Sequence, residues 1–415
     1  MATTSALTSA LTSALTDALT VTSLPPAVTM AANATQPEEL EDNTTYCESL
    51  VAFRTAYSPV HGYVSLLVCA FGSVANALNI AVLTRREMAS PTNSILTGLA
   101  VADLLVMLEY MPYALHMYLP VGLSRPFEMR FSYPWACFVL FHANFTQVCH
   151  TVSIWLTVTL AVWRYIAVAH PQRNREWCGR ETTLVAIAAA YVLSPLLCVT
   201  HYLALTISSG EAPVDGDGNR VNDYNKSDHN VTYYVVDLSK QGETMVDINF
   251  WTYSVLIKLL PCAALTALSL RLVCALLEAK RRRETLQGAA KSGPGARRGA
   301  DKSRQTDRTT RMLLAVLLLF LATELPQGLL GLMSGLRGRD FFEQCYSRLG
   351  ELMDFLALLN SGINFILYCA MSRQFRTTFR AMFRPRFLDR WMPVPQRSQS
   401  DHNGHTNHVT QVTQV

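Results

Sequence analysis

Charge is scarce in this chain: of 415 residues only 16% are Asp, Glu, Lys or Arg, while 50% are hydrophobic. Soluble domains carry about 25% charged residues, so these proportions point away from a string of soluble domains and toward a membrane protein. Groupings that catalysis needs are also missing. No nucleophile, base and oxyanion donor fall together, and the Cys and His residues show no metal-ligand spacing. Enzymatic activity, a bound metal and a cofactor are therefore not expected, nor is nucleic acid as a partner. No internal repeat of the kind secondary transporters carry is visible. The amino terminus lacks the basic start and compact apolar run of a cleavable signal, which leaves the first apolar span to act as an uncleaved one. Finally, no Cys lies between Cys198 and Cys262.

What the chain does contain is apolar runs long enough to cross a bilayer, which takes roughly 20 residues each. Seven are visible, at about Gly62 to Leu83, Ile95 to Leu119, Cys137 to Val168, Thr182 to Leu205, Phe250 to Leu277, Met312 to Leu336 and Leu349 to Ala370. The fold class expected is an all-α membrane protein, a seven-transmembrane helix bundle occupying residues 61–371. The third run carries His142, Asn144, Gln147 and His150, and the seventh Asp354, Asn360 and Asn364, so both should face the interior. Pro112, Pro195, Pro261 and Pro326 should kink their helices.

Basic residues set the orientation. Arg85, Arg86, Arg173, Arg175, Arg180 and the run Lys280 to Arg283 fall on one side, together with Arg373, Arg376 and Arg380. That side is expected to be cytoplasmic, in a plasma membrane. The opposite side holds the sequons at Asn33, Asn43, Asn225 and Asn230, usable only in the lumen, so the amino terminus is expected outside. Asn144 also begins a sequon, but within a span. Residues 1–60 read as a disordered, glycosylated, acidic tail, residues 279–309 as a basic third cytoplasmic loop, and residues 385–415 as a disordered cytoplasmic tail. Phe375, Phe379, Met382 and Phe383 recur at helical spacing among arginines, which gives residues 372–384 as an amphipathic eighth helix on the bilayer surface. The terminal Thr413-Gln-Val415 fits the carboxylate pocket of a PDZ domain.

Ionisable groups inside a span are functional candidates by default. Asp103 sits mid-span, and Ser153, Asn360, Ser361 and Asn364 could meet it across the bundle. Their oxygens suit a sodium-like monovalent cation, or equally a plain hydrogen-bond network. Glu109, Glu324 and Asp354 could converge on an outward cavity and hold a cationic ligand group, with Tyr113, His116 and Gln327 as further candidate contacts. Each acid could instead be protonated, or paired with Lys258, His116 or His150.

Several short signatures, in order and on the matching spans, resemble those of rhodopsin-like (class A) G-protein-coupled receptors. They are Gly72 to Asn76, Leu99 to Asp103, Trp163-Arg164-Tyr165, Pro261, Phe320 with Pro326, and Asn364 to Tyr368. Within that class the chain is most similar to the insect myosuppressin receptors, whose ligands are amidated FMRFamide-related peptides ending in Arg-Phe. The stretches carrying this include His61 to Ser65, Ile154 to Tyr165, Leu276 to Arg283 and Met371 to Arg376. The resemblance implies an extracellular amidated peptide as ligand and a heterotrimeric G protein engaged through Arg164, Tyr165 and Tyr368. A receptor for another amidated neuropeptide is the alternative, and a membrane transporter is the alternative from a different class. An amine receptor is disfavoured by the lack of an Asp in the outer half of the third span. Departures from the class pattern are clear. Trp163 replaces the usual Asp before Arg164, with Asp307 a substitute partner for that Arg. Glu324 stands where a Trp is usual, and Phe365 replaces a Pro, so the seventh helix should be straighter. The customary disulfide from the third span to the second outer loop has no cysteine to form with, leaving pairings among Cys47, Cys137, Cys198 and Cys345 open.

Overall fold

The computed structural model describes residues 47, 49–221, 228–239, 243–288 and 317–383. Asn33, Asn43, Asn225, Asp307 and Val415 lie outside them, as do most of the amino-terminal tail, the centre of the third loop and the carboxyl-terminal tail.

Seven helices are long and apolar enough to span a bilayer. They are α1 (Ser49–Leu83), α2 (Pro91–Met117), α3 (Tyr133–Ala169), α4 (Arg180–Leu197), α5 (Thr244–Glu278), α6 (Leu317–Arg337) and α7 (Ser347–Met371). Every run read from the sequence corresponds to one of them. Their outward faces carry bare apolar side chains, with Leu67 71% and Val185 67% exposed. Such a belt would drive a soluble protein to aggregate and is at home only against lipid. The chain is a multi-pass membrane protein.

Local signals set the helix starts. The Ser90 side chain accepts the Asn93 amide at 3.2 Å, and Pro91 occupies the first turn of α2, where its missing N–H costs nothing. Helix α1 begins at Ser49, earlier than its apolar run. Residues 49–60, expected in a disordered tail, are therefore helical. The reason is tertiary: Cys47 is disulfide-bonded to Cys345, and Arg348 donates to the Cys47 carbonyl at 3.1 Å, which anchors the start of α1 to the start of α7. Cys137 and Cys198 are free.

In α5, residues Thr252–Leu259 form a π-helical stretch just before Pro261, with the Leu260 N–H reaching back five residues to Val255. A wider turn of this kind re-aims the side chains it carries, and such bulges cluster at functional sites. Helix α7, whose span begins at Arg339 and includes a π-helical turn at Phe342–Tyr346, runs unbroken through Phe365.

An antiparallel hairpin, β1 (Leu205–Val214) with β2 (His229–Leu238), departs from the all-α expectation. Its signal was present in the β-branched and aromatic stretch Asn230-Val-Thr-Tyr-Tyr-Val-Val. It is held without a disulfide. The Tyr234 amide donates to the Phe131 carbonyl and the Phe127 amide to the Gly218 carbonyl, both at 2.8 Å. Val214, Val235 and Val236 share a buried cluster with Phe127, Phe131 and Val139 of α3 and the turn before it. Asn230 is exposed on β2.

At the opposite end, helix α8 (Arg373–Phe383) packs the buried Phe375 and partly buried Phe379 and Met382 against Val82, Leu83 and Leu96. Phe365, the departure in α7, meets Phe375 and Phe379 edge-on at 5.9 and 5.8 Å.

Candidate functional site

Polar side chains inside the bundle sort into three groups along its length. The middle group joins four helices. Lys258, delivered by the π-helical turn of α5, places Nζ 2.7 Å from Glu324 Oε2 on α6. His150 Nε2 of α3 lies 3.1 Å from the same oxygen, and Asn360 of α7 donates to Oε1 at 3.3 Å. Glu324 is fully buried, two residues before Pro326. A carboxylate taken that far out of water needs an internal counter-charge, and Lys258 supplies it. Of the three readings open for Glu324, ligand contact, protonation and pairing, pairing with Lys258 and His150 is the one the geometry adopts. Asn360, expected beside Asp103, turns to Glu324 instead, because it stands one helical turn from Asn364 toward the hairpin end.

Nearer the hairpin end, Glu109 Oε2 lies 2.6 Å from His142 Nδ1 and accepts the Thr146 hydroxyl at 2.9 Å. The Tyr113 ring stacks on His142 at 4.1 Å, and Tyr110, bonded through its hydroxyl to His61 at 3.0 Å, meets His142 edge-on. Asp354 of α7 is partly exposed and has no hydrogen-bond or ion-pair partner among the described residues. It lies within electrostatic reach of Tyr110, Tyr113, Tyr253 and Tyr346, and of the charged groups His142, Glu351 and Lys258. A neighbouring acid, Glu351, accepts Ser58 Oγ at 2.8 Å; neither residue stood out in the sequence, because nothing local marks them. Gln327 donates to the Tyr346 hydroxyl at 3.5 Å, and Tyr346 donates to Tyr253 at 3.3 Å. His116 sits apart from these groups, stacked on Trp135 at 3.5 Å and bonded to the Arg130 carbonyl. The structure thus brings Glu109, Tyr113 and Asp354 into one neighbourhood, places Gln327 on a tyrosine pair beside it, and leaves His116 engaged at the rim.

Asp103, buried at mid-bundle, accepts Ser153 Oγ at 2.8 Å and Asn364 Nδ2 at 3.0 Å. Asn76 ties α1 to α7 through the Ser361 carbonyl at 3.1 Å. These hard oxygens are the ones a hydrated monovalent cation would use. At the α8 end, Arg164 lies within electrostatic reach of Tyr368, and Tyr165 packs against His170. Trp163 donates its indole N–H to Thr183 of α4 at 2.9 Å, so the residue that replaced an Asp is spent on interhelical contact.

A seven-helix bundle with a polar, acid-bearing end and an arginine at the other is the architecture of a membrane receptor. Residues 63–386 match the model of the serpentine-type seven-transmembrane G-protein-coupled receptor chemoreceptors known as Srw, and the chain belongs to this family of G-protein-coupled receptors. It is similar to the G-protein coupled receptor dmsr-1 of Caenorhabditis elegans, at 32% identity over 380 residues, covering 83% of this chain and 72% of that one. The sex peptide receptor of Drosophila melanogaster is 28% identical over 367 residues, covering 85% and 79%. The FMRFamide receptor of the same fly is 23% identical over 353 residues, covering 83% and 58%. As a member of this family the chain is a receptor and not an enzyme.

Proposed function

We propose that this receptor responds to an extracellular amidated neuropeptide, a myosuppressin-like peptide ending in Arg-Phe-amide, and activates a heterotrimeric G protein. In this reading the amino terminus and the hairpin face the cell exterior, and the end bearing Arg164, Tyr165, Tyr368 and α8 faces the cytosol. The observation that carries it is Asp354: a half-buried residue that makes no hydrogen bond or ion pair among the described residues, set among tyrosines and His142, suits a peptide's guanidinium. Glu324 cannot take that role while Lys258 neutralises it. The names of the sex peptide and FMRFamide receptors support a peptide ligand, and the second supports an amidated one. The sequon at the exposed Asn230 agrees with the orientation.

The test is a panel of amidated peptides applied to cells expressing the full chain, read by G-protein activation. Peptides ending in Arg-Phe-amide should activate it, and Asp354→Asn should weaken their potency about 10- to 100-fold, the worth of a charged hydrogen bond, at matched surface expression. Activation only by amidated peptides with other endings would favour a different neuropeptide, and unchanged potency in Asp354→Asn would overturn the pairing.

A further inference from the structure

Glu109 is satisfied on one side only. Its Oε2 is occupied by His142 and Thr146, while Oε1, shielded from solvent, has no hydrogen-bond partner. The side chain is about nine-tenths buried, with 9% exposed. A buried carboxylate oxygen without a donor is costly, and a ligand that brings an N–H there recovers that cost. The neighbourhood says what kind of donor fits. The stacked pair Tyr113 and His142, with Tyr110 edge-on, makes an aromatic cluster beside Glu109, and Asp354 is a second carboxylate within electrostatic reach of His142 and Tyr113. A group entering between two acids must not itself be an anion.

We infer that Glu109 Oε1 accepts the N–H of the ligand's carboxyl-terminal carboxamide, which makes Glu109 the residue that separates amidated peptides from their free-acid forms. The inference rests on the reading that an amidated peptide binds this receptor. A carboxamide is neutral and offers two N–H groups to Oε1. The free acid at the same place offers no donor and sets a third negative charge against Glu109 and Asp354. The two acids then divide the ligand: Asp354 takes the guanidinium, Glu109 the amide, and the terminal ring packs against the Tyr113 and His142 pair.

The experiment uses cells expressing the full chain, with Phe-Met-Arg-Phe-amide and the same tetrapeptide as the free acid. In the wild type the amide should be at least 100-fold more potent. In Glu109→Gln, which removes the repelling charge and adds a donor, that ratio should shrink at least tenfold, whereas Asp354→Asn, which leaves the Oε1 acceptor in place, should weaken both peptides and shrink the ratio by less than threefold. Should Glu109→Gln fail to reach the surface, Glu109→Asp keeps the charge but withdraws the oxygen by one methylene. It should lose amide potency tenfold without gaining response to the acid. Equal wild-type potency of amide and acid would overturn the inference while leaving the peptide-receptor reading in place. So would an unchanged ratio in Glu109→Gln, or full amide potency in Glu109→Asp. Silence of a surface-expressed wild type toward both peptides would overturn both.

Discussion

Lys258 Nζ and Glu324 Oε2 stand 2.7 Å apart with 0% and 1% of their side chains exposed, an ion pair at the middle of the bundle that joins α5 to α6. Removing one partner of such a pair strands a buried charge, at about 3–5 kcal/mol, whereas replacing both with apolar groups restores much of the loss. Lys258→Met and Glu324→Leu should each lower the thermal midpoint of the purified receptor sharply. The double variant should lie closer to the wild type than either single, held below it by the His150 and Asn360 groups left without Glu324. Additive losses in the double variant would show that the two side chains are energetically independent.

The Cys47–Cys345 bond spans 298 residues of sequence and ties the start of α1 to the start of α7. Closing a long loop limits the unfolded chain, with effects of about 2–5 kcal/mol in small soluble domains. Cys47→Ser, Cys345→Ser and the double variant should lose the same stability, since one bond is lost in each case. Hydrogen exchange should accelerate in the first turns of α1 and leave Asp103 and its neighbours in mid α2 unaffected. A double variant less stable than both singles would mean that each thiol has a further role.

Gly218 adopts φ +78°, and a Cβ placed there would meet Pro126 Cβ at 3.0 Å. Its carbonyl also accepts the Phe127 amide. Gly218→Val should therefore cost about 1–3 kcal/mol of local strain and loosen the hairpin. Amide exchange along 229–238 is the measurement, with faster exchange expected there and none in the centre of α3. Unaltered protection would show that the valine clusters alone hold the strands down.

Trp163 and Thr183 form one interhelical hydrogen bond at 2.9 Å. A double-mutant cycle of Trp163→Phe with Thr183→Val should return a coupling of about 0.5–1.5 kcal/mol in thermal stability. Zero coupling would leave Trp163 acting only through the area it buries.

Much of this architecture was legible in the residues themselves. Apolar run length is a local property, so seven spans could be counted directly, and the His and Asn residues of the third and seventh runs had nowhere to go but inward. The hairpin was missed because its first strand, Leu205–Val214, follows directly on the fourth apolar run, and its pairing with His229–Leu238 is one that no local window reveals. The early start of α1 was missed for a similar reason, since the bond that orders it reaches across 298 residues.

For the candidate site the division is sharper. Residue type alone determined that Asp103, Glu109, Glu324 and Asp354 are embedded acids, because a carboxylate in an apolar run is conspicuous wherever it sits. Only the tertiary structure decided which of them is already matched: Glu324 by Lys258 from 66 residues away, Glu109 by His142 on one oxygen, Asp354 by no hydrogen bond or ion pair among the described residues. The physical reason is that pairing at 2.7 Å depends on how neighbouring helices are rotated and on a single widened turn in α5. Such relations exist between segments, and no segment carries them alone.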